Sequence, residues 1–516
     1  MLSKSNLQSY LQCARKLWLE QHKPELADAD RSSTRRRELD GNLVGEMARL
    51  QLGNDFIWPP GGADQVGAAE EAKGLLQQWP GLSAAEVPMV HGGLYARADA
   101  LVRDESGYAL RETKASSFPL KSDKATPDKP GEHHLDDVAI QAWVMSHSGL
   151  PLTRVELNFL NSRWLYPGDN DYAGLFRRMD VTAEIAGRLA SVPSWVEAAE
   201  KVLGGDLPKI PTGKHCSSPY DCQFQTHCQT LEPPTVEHPI DLLPDAAGKA
   251  LAKKLREASG YVSILEPAPA ELTGKQAELY RRIQTAHRTS QAILEPRATA
   301  IMRGYSYPRY FFDFEGIDLA VPRWAGVRPY EQIPFQWSCH IERAPGVFEH
   351  AEFLDLTGDD PSLPSIEHMR AMIDPSDGGP IFVYFATYER GRLSELAARH
   401  PVQSDLVQTY AGRLVDLLPI VKEHFYHPSM RGSFSIKKVL PVVAPDLSYA
   451  ELEGVQEGTG AQVAYIDAAL NSETPVRQKA AIEQQLRTYC RQDTWAMVEI
   501  AHFLAQTGRP LRPAGM

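Results

Sequence analysis

Long apolar runs and cysteines are scarce in this chain of 516 residues, and its 54 basic residues are outnumbered by 66 acidic ones. No stretch approaches the roughly 18 apolar residues of a membrane-spanning helix, and the opening Met-Leu-Ser-Lys-Ser-Asn lacks the apolar region of a secretory signal. Six cysteines do not make a disulfide scaffold, and a formal net charge of −12 argues against a surface covered with nucleic-acid contacts. We therefore expect a protein of the reducing cytoplasm that does not enter a membrane and has room only for a local basic groove.

The chain does have ample material for folded cores. Hydrophobic residues make up 43% and charged residues 23%, which is typical of globular proteins. A prior of about 150 residues per domain gives two to four domains. Helical and then strand patterns fill residues 1–232, a helical sequence rich in Ala and Lys fills 233–304, and strands reappear over 305–516. We expect a multidomain α/β protein in which a helical connector, 233–304, joins two domains.

Two stretches predict individual elements. Apolar residues at helical spacing from Leu7 to Trp18, with Ser3 or Ser5 as N-cap, predict an opening amphipathic helix with Cys13 on its apolar side. In the last segment, three strands are followed by a helix, a strand and a helix, over 310–316, 334–342, 347–356, 364–373, 380–386 and 388–398. This order predicts a mixed sheet flanked by helices.

The first candidate site comes from a hairpin pattern that ends at Lys114. Asp104 and Gly107 suit the first and last positions of a type I turn, and that register sets Asp99 opposite Glu112. Directly opposed residues have Cβ atoms about 4.5–5.5 Å apart, so two carboxylates there need a cation such as Mg²⁺. Lys114 shares the strand face of Glu112 and can stabilise an attacking water or developing phosphorane charge. A solvent-facing ladder of salt bridges is the alternative interpretation.

This segment resembles the active-site motif of PD-(D/E)XK nucleases, in particular their RecB-like branch, over roughly the first 230 residues. The resemblance implies a restriction-endonuclease-like core in which Asp99 and Glu112 bind metal and Lys114 is catalytic. It also implies a further acidic metal ligand at Glu46 on the preceding helix, and a helical glutamine at Gln141.

The second candidate site is a C-x5-C-x5-C array of Cys216, Cys222 and Cys228. Three closely spaced thiols in a reducing compartment indicate a metal site, and their spacing exceeds the C-x2-C that is usual for zinc. An iron–sulfur cluster takes four thiolates, which makes Cys13 the obvious fourth ligand. Zinc, with His215 or His227 as a ligand, is the alternative.

Cys13, in the sequence Cys-Ala-Arg-Lys, resembles the first cluster ligand of RecB-like nucleases that carry a [4Fe–4S] cluster, the CRISPR adaptation exonucleases among them. The resemblance implies that all four cysteines bind this cofactor, which then joins the two ends of the domain. Closing so long a loop constrains the unfolded chain strongly. The other two cysteines, Cys339 and Cys490, are interpreted as structural.

The third candidate site lies in the last segment. Asp313 and Glu315 alternate with phenylalanines on a predicted strand, so both acids point to one face and the aromatics to the other. Inward-facing acids on an apolar strand are costly unless they bind a metal. Near the end of the chain, Pro475 favours a helix start, and Tyr489 and Asp493 share one helical face. A charge on a turn or a helix surface is the alternative for each acid.

The Asp-x-Glu and Tyr-x3-Asp patterns resemble motifs one and three of DEDD exonucleases of the tyrosine subtype, which have the ribonuclease H-like fold. The resemblance implies that Asp313, Glu315 and Asp493 bind two Mg²⁺ or Mn²⁺ ions and that Tyr489 orients the water.

Motif two departs from the family pattern. The stretch that contains Phe385 and Glu389 resembles the family pattern Asn-x-x-Phe-Asp, but it has Phe385 in place of Asn and Glu389 in place of Asp. Asp416 is the competing candidate for the metal ligand that motif two supplies. Further along, Lys437 and Lys438 follow a predicted helix start, which suits either a phosphate contact or an ordinary cap.

The whole chain resembles a bacterial family that fuses a RecB-like iron–sulfur nuclease domain to a ribonuclease H-like domain. We expect a metal-dependent nuclease, an exonuclease that hydrolyses phosphodiester bonds in single-stranded or end-containing DNA, with DNA favoured over RNA. One alternative is that one domain is an inactive nucleic-acid-binding module, and the departures at motif two make this the C-terminal domain. Another is a cluster-based redox sensor.

Overall fold

The computed structural model describes residues 1–29, 32–121, 126–233 and 236–512. It shows a multidomain α/β protein with mixed sheets and flanking helices, as the sequence predicts. The chain divides into two compact units: Met1–Pro233 with Asp318–Glu331, and Pro234–Ile317 with Gln332–Met516. Residues 234–235 of the predicted connector and 513–516 of the predicted last domain lie outside the described residues. Within the described ranges, no helix combines the length and the apolar character needed to cross a membrane.

A seven-stranded sheet organises the first unit. Its strands are β1 Leu2–Ser3, β2 Phe56–Ile57, β3 Ser83–His91, β4 Leu94–Arg103, β5 Tyr108–Ser117, β6 Leu152–Leu160 and β7 Phe176–Asp180. Its helices are α1 Lys4–Gln12, α2 Ala14–His22, α3 Ser32–Leu50, α4 Gln65–Gln78, α5 Glu132–His147, α6 Thr182–Leu189, α7 Val192–Leu203 and α8 Gln225–Thr230. Strands β2 to β7 lie side by side in chain order, and β1 pairs with β4. Strands β3, β4 and β5 are antiparallel, whereas β5 and β6 are parallel and joined by α5.

The residue pattern of β4 explains which face of this sheet is buried. Leu94, Ala96 and Ala98 are fully buried in the core that α5 covers, while Arg97 and Asp99 alternate with them on the other face. The side chains of Arg97 and Asp99 thereby point away from the core that α5 covers.

The opening helix differs from the prediction. Ser3 is the N-cap, its hydroxyl accepting a hydrogen bond from the Asn6 N–H at 3.1 Å, as one of the two predicted caps. The single predicted helix is wrong, because the chain leaves the helical conformation at Cys13 (φ −166°, ψ 120°) and α1 and α2 are separate helices. Cys13 therefore lies at a break between two helices.

The second unit contains a five-stranded sheet in the order β11-β10-β9-β12-β13 and a two-stranded sheet of β14 and β8. Its strands are β8 Ile293–Leu294, β9 Arg309–Asp318, β10 Gln332–Ala344, β11 Val347–Leu354, β12 Ile381–Val383, β13 Leu414–Asp416 and β14 Phe425–Tyr426. Its helices are α9 Asp245–Ser259, α10 Ala277–Thr289, α11 Pro296–Arg303, α12 Ser362–Met372, α13 Thr387–Arg399, α14 Ser404–Gly412, α15 Leu417–His424, α16 Ile436–Val443, α17 Gly458–Tyr465 and α18 Val476–Ala505.

The predicted succession of three strands, a helix, a strand and a helix is confirmed as β9, β10, β11, α12, β12 and α13. Strand β12 runs parallel to both β9 and β13, and β10 is antiparallel to β11, so the sheet is mixed. Phe312 and Phe314 pack into the core with Tyr310, as their alternation with the acids predicts. The helix expected after Pro475 is α18.

The stretch predicted as a connector contributes α9, α10 and α11 to the second compact unit. Strand β8 pairs with β14, and the His287 ring lies 2.9 Å from the Tyr426 hydroxyl. Arg282 donates a hydrogen bond to the Lys422 carbonyl at 3.2 Å. Non-local contacts of this kind leave no periodic trace in the sequence, and they attach these helices to the unit that follows.

Candidate functional site

The hairpin of β4 and β5 has the predicted register. Ala100 pairs with Arg111 and Leu101 with Leu110, so the next position along sets Asp99 beside Glu112. The turn is closed by a hydrogen bond from the Gly107 N–H to the Asp104 carboxylate at 3.0 Å. Beyond the paired positions, the Thr113 N–H donates to the Asp99 carboxylate at 2.8 Å, which fixes that side chain at the sheet surface.

A third acid extends this row and was missed from the sequence. Strand β3 pairs with β4 on both sides of Glu86, through Ala85 with Ala100 and Val87 with Ala98, which sets Glu86 next to Asp99. Its φ of 53° is unusual for a side chain other than glycine. A lone acid in an otherwise apolar strand was the available signal.

Two arginines and a cleft lie next to the three acids Glu86, Asp99 and Glu112. Glu86 forms ion pairs with Arg49 and Arg97, each at 3.0 Å. Glu86, Asp99 and Glu112 line a cleft of about 660 Å³ together with Glu46, which is exposed on α3. The predicted acid Glu46 is thus at the cleft.

Two lysines contact the acids of this cleft, which we call the N-terminal site. Lys114 Nζ lies 2.7 Å from Glu112 Oε1 and also pairs with Asp137. Lys4 Nζ lies 3.2 Å from Glu112 Oε1 and 3.1 Å from Asp137 Oδ1. Neither Lys4 nor Asp137 was identified from the sequence. Gln141 is fully buried, and its amide donates to Asp137 at 3.1 Å, so it acts on the site through Asp137.

Burial and charge set the protonation of these groups. Burial and the neighbouring Glu112 raise the pKa of Asp99 to about 7. Burial opposes the charge on Asp137, but Lys114 and Lys4 outweigh it and hold the pKa of that carboxyl well below its usual range. Among the described residues, Glu112 Oε2 is a buried oxygen without a hydrogen-bond partner. A cation held by this oxygen and Asp99 would satisfy both, so the residues fit a metal ion.

The four cysteines proposed as cluster ligands belong to the first unit. All six thiols in the described residues are free. Burial raises the pKa of Cys222, with Cys13 and Cys228 adding to the rise, and burial likewise raises that of Cys228, with contributions from Cys13 and Cys216. The four thiols are therefore close enough for their charges to interact.

The spacing of the thiols bears on which metal they fit. A tetrahedral zinc site with Zn–S of about 2.3 Å brings its sulfurs to about 3.8 Å from one another. Within the described ranges, no three cysteine sulfurs lie within 4.8 Å of one another. A four-iron cluster holds its thiolates farther apart than a single ion does, because each sulfur binds a different iron. The choice of an iron–sulfur cluster over zinc therefore rests on the sequence spacing of the cysteines.

The second acidic site, which we call the C-terminal pocket, lies between β9 and α18. Carboxylate oxygens of Asp313, Glu315 and Asp493 all lie within 4.8 Å of one another, as a metal ion requires. These residues and Tyr489 line a cavity of about 390 Å³. Asp313 and Glu315 reach it because the alternation of β9 sends its phenylalanines to the opposite face. Asp313 and Asp493, which are 180 positions apart in the sequence, thus meet in one pocket.

The carboxylates of the pocket repel one another in a buried setting. Burial, Asp493 and other nearby acids raise the pKa of Asp313 well above its usual range. Burial and Asp493 raise the pKa of Glu315 to about 8, and burial raises that of Asp493 to about 6. Lys437 is the cation that opposes these last two shifts. The site therefore favours either protons or metal cations.

Two tyrosines and a lysine border the acids. The Tyr449 hydroxyl donates to Asp493 Oδ1 at 2.5 Å, a contact the sequence did not reveal. Lys437 Nζ lies 5.3 Å from the Tyr449 ring centre and 5.7 Å from that of Tyr489. Lys437 lines the cavity, as one of the two lysines expected near a phosphate.

The structure distinguishes the two candidates for the motif-two acid. Glu389, in the first turn of α13, lines the pocket, and burial raises its pKa to about 8. In the described structure, its Oε2 is buried without a hydrogen-bond partner. Both oxygens of Asp416 instead accept backbone N–H bonds, from Phe385 at 3.0 Å, Ala386 at 2.9 Å and Leu418 at 3.0 Å. The geometry favours Glu389 over Asp416 as the acid that faces the cavity.

Fold and sites together define a multidomain α/β protein with two carboxylate-lined clefts. Residues 310–435 match a family model described as a domain of unknown function (DUF2779), a range that includes Asp313, Glu315 and Glu389. The chain is 25% identical over 216 residues to the uncharacterized protein UU173 of Ureaplasma parvum serovar 3 (strain ATCC 700970). That match covers 38% of this chain and 31% of the relative's length.

One solved structure, described as the crystal structure of SSO0001, is 15% identical and matches 40% of this chain and 78% of its own. Its TM-score of 0.21 is too low to support a conclusion about the fold. None of these three descriptions names an activity.

Proposed function

We propose that this protein is a metal-dependent nuclease that hydrolyses phosphodiester bonds in single-stranded or end-containing DNA, as an exonuclease. The observation that carries the proposal is the convergence of Asp313, Glu315 and Asp493 within 4.8 Å in a lined cavity. The Asp-x-Glu and Tyr-x3-Asp patterns, and the mixed five-stranded sheet flanked by helices, support a ribonuclease H-like domain of the DEDD exonuclease type.

The fit of the pocket to divalent cations follows from its charges. Three carboxylates with raised or strongly raised pKa values are costly to ionise together, and Mg²⁺ or Mn²⁺ would remove that cost. When bound, such ions activate water and stabilise the leaving oxygen. Glu389 adds a further carboxylate from α13.

The remaining side chains of the pocket position the reactants. Tyr449 holds Asp493 by its hydrogen bond, which fixes the direction in which that carboxylate presents its oxygens. Tyr489 lines the same cavity and would orient the attacking water. Lys437, beside both rings, is placed to contact a phosphate oxygen of the substrate.

We also propose a second nuclease site, of the RecB-like PD-(D/E)XK type, in the N-terminal cleft. Asp99 and the unpartnered Glu112 Oε2 would bind the metal there, with Glu46 at the rim as a further ligand. Lys114 would stabilise negative charge that develops on the phosphate. The order of α3, the β3–β5 meander, α5 and β6 supports this restriction-endonuclease-like core.

The iron–sulfur cofactor is part of the same proposal. Cys13, Cys216, Cys222 and Cys228 would hold a [4Fe–4S] cluster that ties the opening helices to the segment after α7. The Gln12 amide donates to the carbonyls of His215 at 2.8 Å and Tyr220 at 2.7 Å, which connects the residue before Cys13 to the segment that contains Cys216 and Cys222. Both ends of the unit thus meet around the thiols.

The nuclease proposal is tested with end-labelled single-stranded DNA and Mn²⁺. We expect wild type to shorten the DNA, Asp313→Asn to remove one activity and Asp99→Asn to remove the other, each by more than about 100-fold, because removing a ligand should exceed the 10- to 100-fold cost of losing an outer-shell partner. Glu367→Gln, an exposed change on α12, serves as the control. Full activity in the Asp99→Asn, Asp313→Asn double variant would refute the proposal.

The cluster is tested by anaerobic purification, an absorbance spectrum, and iron and sulfide analysis. We expect a brown protein with about four irons per chain. Cys222→Ala should lose the iron, whereas Cys339→Ala, in the core of β10, should retain it. A colourless protein loaded with zinc would overturn the assignment.

A further inference from the structure

Phe385 is an exposed aromatic side chain held in an unusual backbone conformation. Its side chain is 53% exposed and its φ is +79°, a region that bulky residues rarely adopt. Strain of this kind persists only where surrounding contacts impose it, and it concentrates at functional sites. Phe385 stands where the motif-two pattern has asparagine.

Neighbouring contacts impose this conformation. The two oxygens of Asp416 accept the N–H groups of Phe385 and Ala386. On the other side, the Tyr384 hydroxyl donates to the Phe434 carbonyl at 2.6 Å. Ala386 is buried, so the chain is fixed before and after Phe385 and its ring alone projects.

The ring lies where two cavities meet. Tyr384, Phe385 and Ile436 line the 390 Å³ pocket that contains the acids, and the same three residues line a second cavity of about 560 Å³. The two cavities therefore adjoin one another, with Phe385 at their junction, and we call the pair the groove.

The charge of the groove changes at this junction. The first cavity is bordered by Asp313, Glu315, Glu389 and Asp493, with Lys437 as the cation. The second is bordered by Lys249 and Lys422, with Asp245 as the acid paired to Lys422. A polyanion whose reacting phosphate sits over metal ions in the first cavity would meet lysines in the second.

We propose that the second cavity binds the nucleotide adjacent to the scissile phosphate, and that Phe385 stacks on its base. The occupant is single-stranded DNA, because only an unpaired base presents its face to a side chain in this way. The inference rests on the proposed function, since it places the reacting phosphate in the C-terminal pocket. Asp416 is then a positioning residue that holds the stacking platform and binds no metal.

Binding of full-length protein to a labelled single-stranded oligothymidylate of twelve nucleotides is measured by fluorescence anisotropy. The buffer contains EDTA, which prevents cleavage. Phe385→Ala should weaken binding about 5- to 150-fold, because stacking of one base on an aromatic side chain is worth that much. Phe385→Trp should bind as wild type does. Val402→Ala, which truncates an apolar side chain that is 92% exposed in the same unit, is the matched control.

A second readout locates the base. An oligothymidylate with one 5-iodouracil, irradiated in the complex, should cross-link to the peptide that contains Phe385, and mass spectrometry identifies that peptide. Cross-linking only to other aromatic residues would overturn the proposal. Equal affinity of wild type and Phe385→Ala for the oligothymidylate would also overturn it, as would no binding by wild type. Equal affinity of wild type for the oligothymidylate and for its duplex with oligoadenylate would count against it in the same way.

The two proposals fail in different ways. If wild type cleaves DNA with Mn²⁺ and Phe385→Ala has the same affinity and the same kcat/KM, the stacking site is refuted and the nuclease stands. If Phe385-dependent binding and cross-linking are found but no variant or wild type ever cleaves, the nuclease is refuted and the binding groove stands.

Discussion

The N-terminal site and the C-terminal pocket contain similar acids in opposite electrostatic settings. In the N-terminal site, Lys4 and Lys114 both contact Glu112 and Asp137. In the C-terminal pocket, three carboxylates face one another, and Lys437 acts on them from the side of two tyrosine rings. One site is neutralised by its own side chains, and the other depends on protons or external cations.

This difference predicts which of the two sites should bind a metal ion more tightly. Divalent ions gain most where carboxylates are unneutralised, and they must displace or tolerate lysines where ion pairs already exist. The departures at motif two suggested a binding module at the C-terminus, whereas the charges favour that pocket as the stronger metal site. If one of the two domains is an inactive nucleic-acid-binding module, these charges favour the domain with the N-terminal cleft.

The largest expected effect is on Mn²⁺ binding to the two sites. Asp313→Asn should weaken the tighter of two binding events by more than about 100-fold, since it removes a ligand and not an outer-shell partner. Asp99→Asn should leave that tight event intact and affect only the weaker one. Isothermal titration calorimetry on both variants measures this, with Glu367→Gln as control. Loss of the tight event in Asp99→Asn would reverse the comparison.

The next effect separates the two tyrosines of the C-terminal pocket. Tyr489→Phe should lower kcat by about 100-fold, at the lower end of what positioned proton-handling groups contribute, and should weaken Mn²⁺ binding less than Tyr449→Phe does. Tyr449→Phe should instead weaken Mn²⁺ binding a few-fold, because its hydroxyl donates to Asp493. Single-turnover kinetics and Mn²⁺ titration on both variants test the split. Identical changes in both would show that neither hydroxyl has the role assigned to it.

Local sequence was enough to find the acids of the C-terminal pocket and, apart from Glu86 and Asp137, those of the N-terminal site. The turn residues Asp104 and Gly107 fixed the register of Asp99 and Glu112, and period-two alternation placed Asp313 and Glu315 on one face. Patterns of this kind depend on neighbours a few residues away. Such local patterns can be identified in the sequence without knowledge of the fold.

Other groups that contact these acids, Lys4 and Tyr449 among them, were not predictable in this way. Lys4 contacts Glu112 across 108 positions, and Tyr449 contacts Asp493 across 44. The conformation of Phe385 depends on a distant partner too, since its N–H donates to Asp416. Such contacts are created by the packing of whole elements, so neither spacing nor composition records them.

A smaller effect is expected when the N-terminal site loses a lysine. Lys4→Ala should raise the Mn²⁺ affinity of the weaker site about 10-fold, or about 1.4 kcal/mol. This is well below the roughly 4 kcal/mol of a bare pair of charges near a protein surface, since Lys114 remains. Lys73→Ala, which removes a surface lysine paired with Glu70 on α4, is the matched control. Weaker Mn²⁺ binding in Lys4→Ala would mean that Lys4 supports the metal site.

The smallest effect is a pH dependence of stability in EDTA that arises in the C-terminal pocket. The folded-state pKa values of Glu315, about 8, and Asp493, about 6, lie above their ordinary values, so the native state holds protons that the unfolded chain releases. The stabilisation from these protons is complete below the ordinary pKa and is lost as pH rises through the folded values. The melting temperature should therefore fall between pH 5 and pH 8, and Mn²⁺ should restore more of it at pH 8.

Replacing one of these acids isolates the effect from the N-terminal site. There the raised pKa of Asp99 acts in the same direction, and the depressed pKa of Asp137 acts in the opposite one, since its contribution is lost on acidification. Glu315→Gln should raise the metal-free melting temperature at pH 8 by about 2–4 °C, as about 1 kcal/mol does in a unit of this size, and change little at pH 5. Glu367→Gln should change neither value. If Glu315→Gln destabilises the protein equally at both pH values, Glu315 is a structural acid, and the contrast between a self-neutralised site and a cation-dependent one fails at this residue.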